Sequence, residues 1–136
     1  MKSQLAAVLA FGALVAGCRS VWVHGVIQTA DEHPIANARV ALQSETDSHA
    51  PADTSEPNGC FDLFKTIRRD QGGYVLIVDS PGYKLLKVPL RIHVENLLLI
   101  TLEPEGSALP STARAIRSEE RPLRYGACEP LAAIPP

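Results

Sequence analysis

From residue 21 onward, apolar side chains recur at every second position in short runs. Val21, Val23, Gly25 and Ile27 share one face of an extended segment, and Ala38, Val40 and Leu42 share one face of the next. Phe61 and Leu63 follow on a third, Tyr74, Leu76 and Val78 on a fourth, and Leu98, Ile100 and Leu102 on a later one. Period two puts neighbouring side chains on opposite faces of a strand, so each run predicts an antiparallel strand with one buried face. Turn-forming residues separate the runs: Asp31 to Pro34, Pro57-Asn58-Gly59, Gln71-Gly72-Gly73, Pro81-Gly82 and Glu95-Asn96. The segment 85–92 reads as a weaker strand, and Pro89 inside it marks an edge or a break, since proline gives no ladder hydrogen bond. The expected fold is all-β, a single antiparallel β-sandwich of six or seven strands.

Gaps in the pattern add detail. Gly25 stands in mid-strand, where a missing side chain admits a neighbouring backbone or a large ring such as Trp22 or Tyr74. Glu45 to Glu56 is polar and aperiodic and reads as a long, mobile loop. Composition shifts at Pro104, where Pro, Ala, Ser, Arg and Glu take over and the alternation stops. In that tail, Ser111 to Arg121 predicts one short helix, with Ser111 as N-cap and Pro122 ending it. The rest of the tail reads as irregular unless Cys128 ties it down.

The first residues follow a different pattern. Lys2 is followed by a charge-free apolar run from Leu5 to Val15, which is too short to span a bilayer. Val15-Ala16-Gly17-Cys18 then gives an apolar residue, two small residues and a cysteine. This resembles the substrate of lipoprotein signal peptidase. The resemblance implies a signal helix over residues 1–17, cleavage between Gly17 and Cys18, and lipidation of Cys18 with more than one acyl chain, enough for stable anchoring. The alternative is a buried core helix with an incidental cysteine. Arg19, where an Asp is associated with inner-membrane retention in such lipoproteins, implies the outer membrane, on its periplasmic face. Residues 18–20 form a short tether, which places the folded unit close against the membrane with one end occluded.

The order of features in the 21–103 segment resembles a known family. Val23-x-Gly25-x-Ile27, Pro34, Ala38-x-Val40-x-Leu42, Asn58-Gly59-x-Phe61-x-Leu63, Tyr74-x-Leu76-x-Val78 and Pro81-Gly82-Tyr83 look like the carboxypeptidase regulatory-like domain. That domain is a small prealbumin/Ig-like sandwich related to transthyretin. Four segments are therefore expected: a signal peptide over 1–17, the tether over 18–20, the sandwich over 21–103 and a partly disordered tail over 104–136.

Composition narrows the function classes. The net charge is −2 and aromatics are 5% of residues, so there is neither a basic stripe nor a stacking platform for nucleic acid. Of the three cysteines, lipidation of Cys18 leaves Cys60 and Cys128 as a pair, which an oxidising compartment allows to form a disulfide. The alternative is two unpaired thiols. By alternation Cys60 faces away from the core. His24, His33, His49 and His93 are the candidate ligands and bases, but none stands at metal spacing to another His or Cys, and all four read as solvated. Asp31-Glu32 and Glu119-Glu120 read as solvated acidic pairs, and Arg114, Arg117, Arg121 and Arg124 as a basic cluster on a solvated tail. No cofactor or metal site is expected.

Two functions follow. One is a membrane-anchored envelope lipoprotein acting as a non-catalytic binding or structural accessory module, not an enzyme, with an envelope protein or polymer as partner. The alternative is a small hydrolase on the transthyretin-like scaffold. The 5-hydroxyisourate hydrolases of that fold end in Tyr-Arg-Gly-Ser, and Arg124-Tyr125-Gly126 departs from that order.

Overall fold

The computed structural model describes residues 19–46, 50–67, 73–92, 94–121 and Cys128. The leader with Gly17 and Cys18, and His49 and His93, lie outside the described residues. Eight strands form in chain order: β1 Arg19–Gln28, β2 Arg39–Gln43, β3 Ala52–Thr54, β4 Cys60–Ile67, β5 Val75–Asp79, β6 Leu86–Pro89, β7 Glu95–Thr101 and β8 Thr112–Ala115. They make two four-stranded sheets, β4-β1-β7-β8 (sheet A) and β3-β2-β5-β6 (sheet B). The fold is all-β.

The period-two residues do what their spacing dictates. Val21, Val23 and Ile27 from β1, Phe61 and Leu63 from β4, and Leu98 and Ile100 from β7 point inward from sheet A. They join one core with Val40, Leu42, Leu76 and Val78 of sheet B. Tyr74 enters the same core and is fully buried. The turn at 57–59 follows the sequence, whereas Glu95-Asn96, expected as a turn, opens strand β7 beside β1. Gly59 has φ +83°, and its amide donates to the Glu56 carbonyl at 2.8 Å. β6 is the edge of sheet B and ends at Pro89, where the missing amide removes nothing from the ladder.

Four further expectations are corrected. The described residues form eight strands, not six or seven. One pairing is not antiparallel: β1 and β7 run parallel, with Gly25 opposite Leu98. Side-chain alternation reports which face a residue takes and is blind to strand direction. The parallel pair arises because the chain crosses through sheet B between β4 and β7. The polar 45–56 stretch holds β3, a fully exposed edge strand that carries no apolar period. Ser55 directly after it is buried; its hydroxyl takes the Ala38 amide at 2.9 Å and donates to the Ile35 carbonyl at 2.7 Å. Finally, the helix expected over Ser111–Arg121 is strand β8 followed by a single 3-10 turn, Ser118–Glu120. The free edge of β7 offers Thr112–Ala115 a ladder, and that outweighs weak local helix preference. Ser111 caps no helix. It is buried, accepts from the Glu103 amide and donates to the Lys84 carbonyl, both at 3.0 Å.

Gly25 resolves in favour of the neighbouring backbone. A Cβ there would lie 1.9 Å from the Leu98 carbonyl oxygen, so the parallel seam closes only over glycine. Gly25→Ala should lower unfolding stability by about 2 kcal/mol or more, the scale of overpacking at a site that cannot relax. Urea denaturation measures this, and an unchanged midpoint would contradict the close approach.

Candidate functional site

The outer face of sheet A carries the chemistry. Alternation along β1 sends Trp22, His24 and Val26 outward, away from the core. In β4 the residues opposite them are Phe64, Asp62 and Cys60, in that order. In β7 Glu95 stands opposite Trp22, Leu97 opposite His24 and Leu99 opposite Val26. One face thus holds an aromatic pair, an imidazole, two carboxylates and an apolar patch.

The apolar end of this face is covered. Val26, Leu97 and Leu99 form a second buried cluster with Ile116, and Cys128 packs against it. The Ile116 amide donates to the Leu97 carbonyl at 2.9 Å, which carries the chain across the sheet beyond β8. Cys60 and Cys128 are joined in a disulfide, their Cα atoms 5.5 Å apart. Cys60 faces away from the main core as its position dictates, yet it is buried under this cover.

Beside the cover lies a polar cluster. His24, expected to be solvated, is only 2% exposed. Trp22 stacks on it, with ring centroids 4.5 Å apart and planes 7° from parallel. The indole N–H of Trp22 donates to Asp62 Oδ1 at 2.9 Å. His24 Nε2 lies 2.9 Å from Glu95 Oε1, and Arg121 Nη1 donates to the same oxygen at 3.2 Å. Glu95 thus lies between the imidazole and the Arg121 guanidinium. Under the indole the imidazole is closed to solvent, so the arrangement holds the sheet face and the Arg121 segment together. His33 is exposed in its turn, as expected. Among the described residues, no three His, Cys, Asp or Glu side chains come together to hold a metal ion.

Arg114 and Arg117 stay exposed, as expected of the tail, and Arg121 is half-buried, but each is paired with a carboxylate. Arg114 grips Glu120 with two hydrogen bonds, of 2.6 and 3.1 Å, and the Arg117 amide adds a third at 2.9 Å. Arg121 holds Glu95 as above; Arg124 lies outside the described residues. The two bonds from Arg114, with the Arg117 amide, hold the Glu120 carboxyl at about 2, against an ordinary 4.5. A separate open hollow of about 490 Å³ lies at the other sheet, between Gln43–Thr46 and the Gly73–Val75 stretch.

The cover and the buried imidazole were missed by alternation alone. The signal was present in Leu97-Leu98-Leu99-Ile100, a continuous apolar run that reads as a strand buried on both faces.

No family model matches the sequence, and no curated protein matches it. Among solved structures, a variant of catechol 1,2-dioxygenase from Acinetobacter radioresistens is similar at 11% identity and TM-score 0.47, covering 78% of this chain and 59% of that one. A 3-chlorocatechol 1,2-dioxygenase from Rhodococcus opacus is similar at 11% identity and TM-score 0.40, covering 71% and 60%. The chain therefore spans about three fifths of the length of these neighbours. The expectation that the chain is not an enzyme is corrected by them: both are enzymes, so absence of catalysis is not assigned. At these TM-scores neither likeness carries any argument about the chemistry of this chain.

Two outcomes test the covered face. Replacing both cysteines, Cys60→Ala with Cys128→Ala, opens a 68-residue separation and should lower stability by roughly 4 kcal/mol on the chain-entropy account. Equal denaturation midpoints for the double variant and the parent would contradict a fastened cover. The second test is acid titration. A carboxyl depressed in the folded state stabilises the fold above its ordinary value of 4.5, and that contribution is lost as pH falls towards about 2. The Glu120 carboxyl carbon, followed by NMR, should titrate near 2, with β8 loosening in the same window; titration near 4.5 would show that the Arg114 grip is absent.

Proposed function

We propose that the chain is a membrane-anchored envelope lipoprotein whose folded part acts as a binding or structural accessory module. The observation that carries this reading is Val15-Ala16-Gly17-Cys18 placed directly before the first strand, with β1 already under way at Arg19. Two features support it. A buried disulfide suits an oxidising compartment outside the cytoplasm. Two sheets sharing one core are consistent with the prealbumin/Ig-like, carboxypeptidase regulatory-like sandwich that the 21–103 motifs resemble. The module sits in the outer membrane, facing the periplasm, and its partner is an envelope protein or polymer.

The hydrolase reading on the same scaffold draws on one observation, the convergence of His24, Glu95 and Arg121. Turnover of 5-hydroxyisourate that Glu95→Gln abolishes would favour it. The stacked indole over His24 favours the accessory module.

Cys18→Ser should leave an unprocessed precursor that takes up no labelled palmitate in cells. Normal processing and labelling of that variant would remove the anchor from the account.

A further inference from the structure

Among the described residues, the outer face of sheet A is covered at one end only. At the other end, where β1 begins, Trp22 and Phe64 stand directly opposite one another in the β1–β4 register. They are 37% and 59% exposed. Val94, also exposed, immediately precedes Glu95, the residue of β7 opposite Trp22. An exposed aromatic pair with an aliphatic neighbour is the kind of apolar patch that marks a contact surface.

We infer that this end of sheet A docks on the membrane that carries the Cys18 anchor, with Trp22 and Phe64 entering the headgroup layer. The inference rests on the lipoprotein reading. Four points select a lipid surface as the occupant. First, Cys18 immediately precedes Arg19, the first residue of β1, so no stalk separates anchor and sheet. At about 3.3 Å per residue, Trp22 lies about 13 Å along the strand from the anchored residue. A strand lying obliquely on the surface keeps both aromatics within reach of the interface. Second, the indole N–H is already satisfied by Asp62, so the ring can enter an apolar layer without stranding a donor. Third, the carboxylates of this face are already engaged within it: Asp62 accepts from Trp22, and Glu95 pairs with the Arg121 guanidinium beside His24. Fourth, positive charge lies at the same end. Arg91 is exposed, and Asn96 Nδ2 ties its carbonyl and that of Trp22 together at 2.8 and 3.0 Å. Aromatic rings beside a cation suit an interface with anionic headgroups.

Trp22 is the sole tryptophan of the chain and reports directly. The mature full-length protein, purified from membranes, is reconstituted into vesicles of phosphatidylethanolamine and phosphatidylglycerol. Brominated acyl chains in those vesicles should quench Trp22 emission by about twofold, while aqueous acrylamide loses access to it. Phe64→Gln should weaken the bromolipid quenching with no change in the thermal midpoint; undiminished quenching would contradict the assigned face. Flotation of the same sample reads the anchor separately. Protein that floats with its vesicles while Trp22 stays open to acrylamide and untouched by bromolipid overturns the docking and leaves the anchor standing. Protein that does not float overturns both.

Discussion

The parallel seam between β1 and β7 is the constraint on which the rest of the molecule depends. It closes because Gly25 offers no Cβ to the Leu98 carbonyl. With that contact made, register is fixed along the whole strand: Trp22 meets Glu95, His24 meets Leu97 and Val26 meets Leu99. A slip of one residue would turn every one of these side chains to the other face. The same seam therefore sets the core on one side of β1 and the imidazole–carboxylate cluster on the other.

Sheet A is loaded on both faces, and the two loads differ in kind. The inner face carries the apolar core shared with sheet B. The outer face is apolar where Ile116 and Cys128 cover it and again at the exposed Trp22–Phe64 pair. Between that cover and the strand ends lie His24, Asp62 and Glu95, each already engaged. Charge-assisted bonds from Arg114 and Arg121 hold the covering segment, and the disulfide ties its far end to β4. The two-bond Arg114–Glu120 contact is the geometrically strongest of these; the Arg117 pairs, longer at 3.5 and 3.6 Å on a 72% exposed side chain, contribute little beside it.

Much of the inner face was legible in the sequence because burial on one side writes a period of two. Val21, Val23, Phe61, Leu63, Leu76 and Val78 all lie where that period puts them. Strand direction was not legible, since alternation is identical for parallel and antiparallel partners. β3 and β8 were hidden for a different reason: exposed or half-exposed edge strands have no apolar period to display. For the outer site, the sequence supplied the residues and the wrong environment. His24 is polar and stands opposite the core face, which reads as solvated; its burial comes from Trp22 above it and from chain some seventy residues and more away. Cys60 and Cys128 could be named as a pair, but only three-dimensional proximity brings them together.

The central claim is that one chain carries its anchor, its folded module and its locking disulfide in a single exported form. Intact-mass measurement of the protein extracted from cell membranes tests this most directly. The expected mass is that of a chain beginning at Cys18, increased by its acyl groups and reduced by the two hydrogens of a Cys60–Cys128 bridge. A mass corresponding to the whole unacylated chain from Met1, with three free thiols, would contradict the account.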